Sequence, residues 1–286
     1  MDAKTRLCCL IGNPVGHSLS PMIHNTLAAE MGINMAYTAF KVEDNRVCDA
    51  IKGADAFDIL GMNVTVPHKC RVIDELKEID PLAEKIGAVN TLVRVEGGYK
   101  GYNTDIIGLW RELVEENVEI TGKDIIIIGA GGASKAITYL CAEKKAARIY
   151  LLNRSVDKAE TIASEVNGHF GEVVIPLSLD EYTILPCDRK YPVIQTTSVG
   201  LHPFDDEAPI CNEDFYRLVE VGVDIIFNPP ETKFMQLCKR AGARAYNGLK
   251  MLLYQGIAAF ELWNDVKVPE ELTDKILKMM EKELSL

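Results

Sequence analysis

Three groups of residues have types and spacings suited to chemistry. The first is the turn Gly129-Ala130-Gly131-Gly132-Ala133, which follows Asp124 and four consecutive isoleucines, Ile125 to Ile128. A glycine turn between a strand and a helix lets backbone N–H groups and a helix N-terminus approach a pyrophosphate. Ser134 stands where the third glycine of a dinucleotide fingerprint usually falls. The second group, Asn153-Arg154-Ser155 with Lys158 a turn further on, closes the next strand. A site for NAD carries Asp or Glu at that strand tip, accepting from the ribose 2′-OH. Here a guanidinium, a hydroxyl and an ammonium stand there instead, a set that grips a 2′-phosphate. The expected dinucleotide is therefore NADP. The third group is Lys69, just past the alternating run Asn63-Val64-Thr65-Val66-Pro67. A lysine opening a helix opposes the macrodipole, so helix stability does not explain it. It is either a solvated lysine or one that binds an anion or catalyses at the carboxyl end of a strand, where α/β folds hold ligands.

Further polar groups stand at four places along the chain. Pro21 suits the first position of a helix with Ser20 as its N-cap, which leaves Ser18 without a structural role. Beside the capping reading, the functional one has both hydroxyls facing a ligand rich in acceptors. Asn90 sits at the centre of a strand expected over Ala88–Val93 and needs a partner if buried. Thr104 or Asp105 opens a long amphipathic helix marked by Ile106, Leu109, Trp110 and Leu113, where either suits an N-cap. Gln255 lies on or beside the apolar face formed by Leu252, Gly256, Ala259, Phe260 and Trp263, which implies a ligand or a structural hydrogen bond.

The elements that must position these groups are those of an α/β protein. Short strands are expected at Arg6–Ile11, Met35–Val42 and Gly61–Val66, with helices after Pro21, over Asp44–Lys52 and from Lys69. The long helix opened by Asp105 leads into the isoleucine strand. Further strands at Arg148–Leu152, Val173–Leu177, Val193–Gln195, Gly222–Phe227 and Ala243–Tyr246 make a doubly wound half with about six strands. Two C-terminal helices, the second with Leu272, Ile276, Met279 and Leu284 on one side, are expected to pack back on the first domain. The expected domains are residues 1–105 with 248–286, and residues 106–247.

Length and composition bound the class. A chain of 286 residues suits about two domains with a core of their own. Hydrophobic content is 48% and mean hydropathy +0.02, as in a soluble globular protein. The net charge of −11, from 31 Lys and Arg against 42 Asp and Glu, disfavours a nucleic-acid partner. No signal peptide or membrane span is legible, and a cytoplasmic location is expected. The eight cysteines show no CxxC spacing and read as reduced packing residues, mostly in apolar surroundings. The five histidines lack metal-ligand spacing, so no metal is expected.

Taken together, eight motifs resemble the shikimate dehydrogenase family: SLSP (18–21), NVTVPHK (63–69), GAVNT (87–91), NTD (103–105), GAGGAS (129–134), NRS (153–155), TTSVG (196–200) and NGLKMLLYQG (247–256). The resemblance covers nearly the whole chain. It implies an N-terminal α/β substrate domain, a Rossmann-type NADP domain and a cleft between them. It implies reversible reduction of 3-dehydroshikimate to shikimate with NADPH, with Lys69 and Asp105 as the catalytic pair. Ser18, Ser20, Thr65, Asn90 and Gln255 would join that pair in holding substrate. Gly129, Ala130, Gly131, Gly132, Ala133, Asn153, Arg154, Ser155 and Lys158 would hold NADP, with Ile225 and Gly248 near the nicotinamide. The implied assembly is a monomer or homodimer.

The chain departs from the family's pattern at three positions. Phe227 stands where a tyrosine is usual at the substrate, Gln195 replaces a more usual asparagine, and Lys250 occupies a position often small, adding positive charge near the expected cleft. A quinate/shikimate dehydrogenase with broader range or NAD use is the nearest alternative, which Ser18, Ser20 and Arg154 disfavour. A ligand-sensing regulator on the same fold would not need Lys69 and Asp105. A dehydrogenase of folate or amino-acid substrates lacks the SLSP and NTD signals. Hydride transfer to a ketone develops negative charge on oxygen, which calls for a nearby proton donor or cation. Whether Lys69 is the base or an electrostatic anchor is open, since a carboxylate raises a lysine pKa and burial lowers it.

Overall fold

Apolar runs of two kinds, short and interrupted in the first third of the chain and continuous in the middle, build two sheets. The computed structural model describes residues 1–202 and 204–284. The chain divides into two compact units, Met1–Gly108 with the segment from Leu252 onward, and Leu109–Met251.

The first unit holds β1 (Arg6–Gly12), α1 (Ser20–Glu30), β2 (Met35–Lys41), α2 (Val47–Ala56), β3 (Gly61–Val64), β4 (Glu78–Ile79), α3 (Pro81–Ile86), β5 (Thr91–Val95), β6 (Gly98–Tyr102) and the start of α4 (Asp105–Glu115). The sheet runs β2-β1-β3-β5-β6-β4. It is mixed: β1 is parallel to β2 and β3, while β5 is antiparallel to β3 and β6. This reversal brings the end of β3, the residue before β5 and the end of β6 to one edge of the sheet. Beneath them Cys9, Ile11, Met62, Val64, Val89, Leu92 and Tyr99 pack as one buried cluster.

Local differences from the expected elements have physical reasons. Ser20 is the first residue of α1 and Leu19 takes the N-cap position, while the Ser20 N–H donates to Ser18 Oγ at 3.2 Å. Asn90 precedes β5 instead of lying within a strand, because its side chain binds groups at the start of α4. After Lys69 the chain forms only a short 3-10 turn, Arg71–Glu75.

The second unit holds the rest of α4, then β7 (Asp124–Ile128), α5 (Gly132–Glu143), β8 (Arg148–Asn153), α6 (Val156–Phe170), β9 (Val174–Ser178), β10 (Tyr191–Gln195), α7 (Glu213–Tyr216), β11 (Val219–Asp224), α8 (Lys233–Arg240) and β12 (Arg244–Asn247). Its six strands are all parallel, in the order β12-β11-β10-β7-β8-β9. Counted from β7 this is the doubly wound 3-2-1-4-5-6 arrangement. Ile125 to Ile128 are completely buried, as the unbroken β-branched run requires of a strand covered on both faces. The strand expected to reach Phe227 stops at Asp224, whose carboxylate turns back to accept from the Ile226 N–H at 3.0 Å.

Two helices follow, α9 (Leu249–Asn264) and α10 (Glu270–Leu284). Trp263 of α9 donates from Nε1 to the Leu92 carbonyl at 2.9 Å, tying α9 to β5. The buried face of α10 is Thr273, Ile276 and Met280, so the expected stripe is rotated and Met279 is exposed. Cys8, Cys9, Cys141 and Cys238 are buried as packing residues, but Cys70, Cys187 and Cys211 are exposed. No helix among the described residues is long and apolar enough to cross a membrane.

Candidate active site

Lys69 is held by backbone bonds on both sides of it. The Thr65 N–H donates to the Ile11 carbonyl at 2.9 Å and the His68 N–H to the Thr65 carbonyl at 3.0 Å, turning the chain as β3 ends. The His68 ring is fully buried with Nε2 at 2.8 Å from the Val42 carbonyl. The Lys69 carbonyl then accepts from the Val89 N–H at 2.8 Å. From this anchored position Lys69 Nζ donates to Asp105 Oδ2 at 2.6 Å. Asp105 opens α4, where a carboxylate complements the positive end of the helix dipole. Its other oxygen accepts from Asn90 Nδ2 at 2.8 Å, and Asn90 Oδ1 accepts from the Thr104 N–H at 2.7 Å. The Lys69 and Asp105 side chains are 31% and 23% exposed, so the pair is aligned and reachable. An ammonium and a carboxylate so placed can stabilise an alkoxide and move a proton at a substrate hydroxyl.

Lys69, Asp105 and Asn90 thus converge. Ser18 and Ser20 form a second small group through their shared hydrogen bond. Thr65 is half-buried just past β3, and a side chain at Gly12 would run into it and into the Val66 carbonyl. Gln255 is buried, and its amide donates to the Leu252 carbonyl of its own helix at 2.8 Å. Among the described residues no hydrogen bond joins Ser18, Thr65 or Gln255 to the Lys69–Asp105 pair.

The second unit carries the glycine turn at the carboxyl ends of its strands. Gly129 has φ of +116°, and a Cβ there would collide with Thr196 and Thr197. Ser134 Oγ donates to the Gly129 carbonyl at 2.6 Å, so the residue in place of a third glycine fastens the turn. Side chains at Gly131 and Gly132 would meet only open space, and α5 starts at Gly132 with its first N–H groups unclaimed by any side-chain cap. At the tip of β8, Asn153 Nδ2 donates to the Ser155 carbonyl at 2.9 Å. Arg154 and Lys158 beyond it are exposed and make no ion pair among the described residues. An open cradle of N–H groups and two uncommitted cations fit a dinucleotide with a 2′-phosphate.

A buried network supports the neighbouring loops. Asp224 is fully buried and accepts from Thr232 Oγ1 at 2.7 Å, the Ile226 N–H at 3.0 Å and Gln195 Nε2 at 3.4 Å. Burial pushes its pKa up to about 6 against the lowering effect of those bonds. Gln195 also binds the Thr197 N–H and the Val199 carbonyl, holding the loop after β10. A cavity of about 270 Å³ lies between these loops, lined in part by Thr196, Ser198, Leu201, Ile225 and Phe227. Gly248 approaches the Ile225 backbone too closely for any side chain. The only sequence signal for Asp224 is an acid at the end of an apolar strand. Lys250 contributes no free positive charge: it is paired with Glu115 at 2.6 Å and with Glu116.

Family models match three parts of the chain: "Shikimate dehydrogenase substrate binding domain" over residues 10–92, "Shikimate / quinate 5-dehydrogenase" over 112–183 and "Shikimate 5'-dehydrogenase C-terminal domain" over 248–278. A shikimate dehydrogenase (NADP+) of Halothermothrix orenii is 40% identical, covering 93% of each chain. The structure of shikimate 5-dehydrogenase from Listeria monocytogenes, in complex with shikimate and NAD, matches with TM-score 0.90 at 31% identity over 97% of this chain and 98% of that one. A ligand-free 5-ketofructose reductase of Gluconobacter matches with TM-score 0.86 at 30% identity over 98% and 100%.

Proposed function

The chain belongs to the shikimate dehydrogenase family of NADP-linked oxidoreductases, and we propose that Lys69 and Asp105 act together on the alcohol that shikimate presents to them. The observation that carries this reading is the 2.6 Å bond between their side chains, made by residues 36 apart in the chain and left partly open to solvent. NADPH, when bound, supplies the hydride for the ketone of 3-dehydroshikimate. The Lys69 ammonium balances the negative charge that develops on the substrate oxygen and delivers its proton; in the reverse direction the neutral Lys69 amine receives the hydroxyl proton. Asp105 aims the lysine nitrogen at the reacting oxygen, and Asn90 holds Asp105 in place. Ser18, Ser20, Thr65 and Gln255 supply hydrogen bonds to the ring hydroxyls and carboxylate.

Gly129 to Ala133 would take the pyrophosphate, Asn153 and Ser155 the ribose side, and Arg154 with Lys158 the 2′-phosphate. Ile225 and Gly248 would flank the nicotinamide end, with Phe227 at the substrate. We assign substrate binding to residues 1–105 with 248–286 and the dinucleotide to 106–247, in a cytoplasmic enzyme acting as monomer or homodimer.

The likeness to a 5-ketofructose reductase shows that this fold also serves another ketone, so substrate choice rests on the side chains. Phe227 cannot donate the hydrogen bond of a tyrosine, which weakens substrate binding by about 1 kcal/mol. Initial rates with shikimate and quinate, each with NADP and NAD, test the assignment. Shikimate with NADP is expected to give the highest kcat/KM; faster turnover of quinate, or with NAD, contradicts it.

A further inference from the structure

We infer that Thr91 and Tyr37 are positioning residues for the Lys69–Asp105 pair, acting through a one-way chain of buried hydrogen bonds; this rests on the catalytic reading of that pair. Two backbone groups set the polarity of the chain. The Thr104 N–H can only donate, and it reaches Asn90 Oδ1 at 2.7 Å. The Asn90 amide nitrogen must therefore face Asp105, where it donates to Oδ1 at 2.8 Å. The Asn90 carbonyl can only accept, so it is Asn63 Nδ2 that faces it, at 3.3 Å. Asn63 Oδ1 then points the other way and accepts from the Tyr37 hydroxyl at 2.8 Å.

Thr91 links the two amides. Its Oγ1 accepts from Asn63 Nδ2 at 3.1 Å, which commits its single hydrogen to the far side. There it meets Asn90 Oδ1 at 3.2 Å and Thr104 Oγ1 at 2.9 Å, and Thr104 Oγ1 lies 3.2 Å from the same Asn90 oxygen. Both routes end on Asn90 Oδ1. Donation thus runs from Tyr37 through Asn63, Thr91 and Asn90 to the Asp105 carboxylate.

Tyr37, Asn63, Asn90, Thr91 and Thr104 are all at most 5% exposed, so water does not compete for these bonds. Only the terminal pair opens to solvent. The Tyr37 ring is fixed by stacking on the buried His24 ring, with centroids 4.3 Å apart. Thr91 faces Asn63 directly in the β3–β5 register. Three strands thereby hold one carboxylate in one orientation, which keeps the Lys69 ammonium aimed.

The test compares Thr91→Val, which keeps the shape and removes the hydroxyl, with Thr91→Ser, which keeps the hydroxyl. Thr91→Val is expected to lower kcat about ten-fold with the KM for NADP unchanged, and Thr91→Ser to stay within about two-fold of the parent. Tyr37→Phe should lower kcat by about three-fold, and it decides the matter if Thr91→Val does not fold. Adding Thr91→Val to Asp105→Asn should cost nothing further, since both act through one carboxylate. Parental kcat in Thr91→Val and Tyr37→Phe, or equal losses in Thr91→Val and Thr91→Ser, overturns the inference. Lys69→Ala and Asp105→Asn serve as controls. If they lose turnover while Thr91→Val keeps it, the positioning role alone fails; if they keep it, the catalytic reading fails as well.

Discussion

Arg154 extends into solvent at the tip of β8 with Lys158 one helical turn away, and neither has an acidic partner among the described residues. An unpaired guanidinium at this strand end discriminates between dinucleotides only through the 2′ position, because NAD has a hydroxyl where NADP has a phosphate. Losing one charge-assisted contact to phosphate should raise the KM for NADP about ten-fold in Arg154→Ala and leave that for NAD within about two-fold. Equal shifts for both cofactors in steady-state kinetics contradict the phosphate assignment. The place of Arg154 just past a strand was legible from the apolar run before it, and β8 does end at Asn153. The pairing of Lys250 was not legible, because Glu115 and Glu116 lie about 135 positions earlier and only the fold brings them to it. Asp224 was equally hidden, since Gln195 and Thr232 reach it only once β10, β11 and α8 are assembled.

Helix α9 begins with an unusual anchor. Glu112 of α4 is 1% exposed and accepts from the Met251 N–H, in the first turn of α9, at 3.0 Å. Burial pushes its pKa from 4.5 up to about 8, offset in part by the Met251 bond and by Lys250. A carboxyl whose folded pKa lies above its unfolded value contributes stability that is fully present below the unfolded value and is lost as pH rises through the folded one. The parent should therefore lose stability from about pH 4.5 to 8 through this group. Glu112→Gln keeps an acceptor for Met251 and cannot ionise. Thermal melts of the two should coincide near pH 5 and separate by about pH 9 in favour of the variant; curves that stay parallel contradict the neutral-carboxyl reading. Element boundaries were less legible than element types. Asn90 reads as the centre of a strand over residues 88–93, yet its side chain is claimed by the start of α4, and that bond is invisible to a local sequence pattern.

At the scale of the molecule, the parallel sheet could be read from the isoleucine run alone, because only a doubly covered strand tolerates it. The mixed sheet of the first unit was harder, as its strands are short and its reversal depends on the hairpin between β5 and β6. A chain with net charge −11 that takes an anionic substrate and an anionic cofactor must hold a few cations in place for them. In the proposed function Lys69 serves the substrate and Arg154 the cofactor. The central claim is that Lys69, aimed by Asp105, acts in the chemical step. The most direct test measures turnover of shikimate with NADP by Lys69→Ala, with shikimate binding to the same variant followed by calorimetry. The account predicts that kcat falls by about a thousand-fold or more while shikimate still binds measurably. Turnover equal to that of the parent enzyme would contradict it.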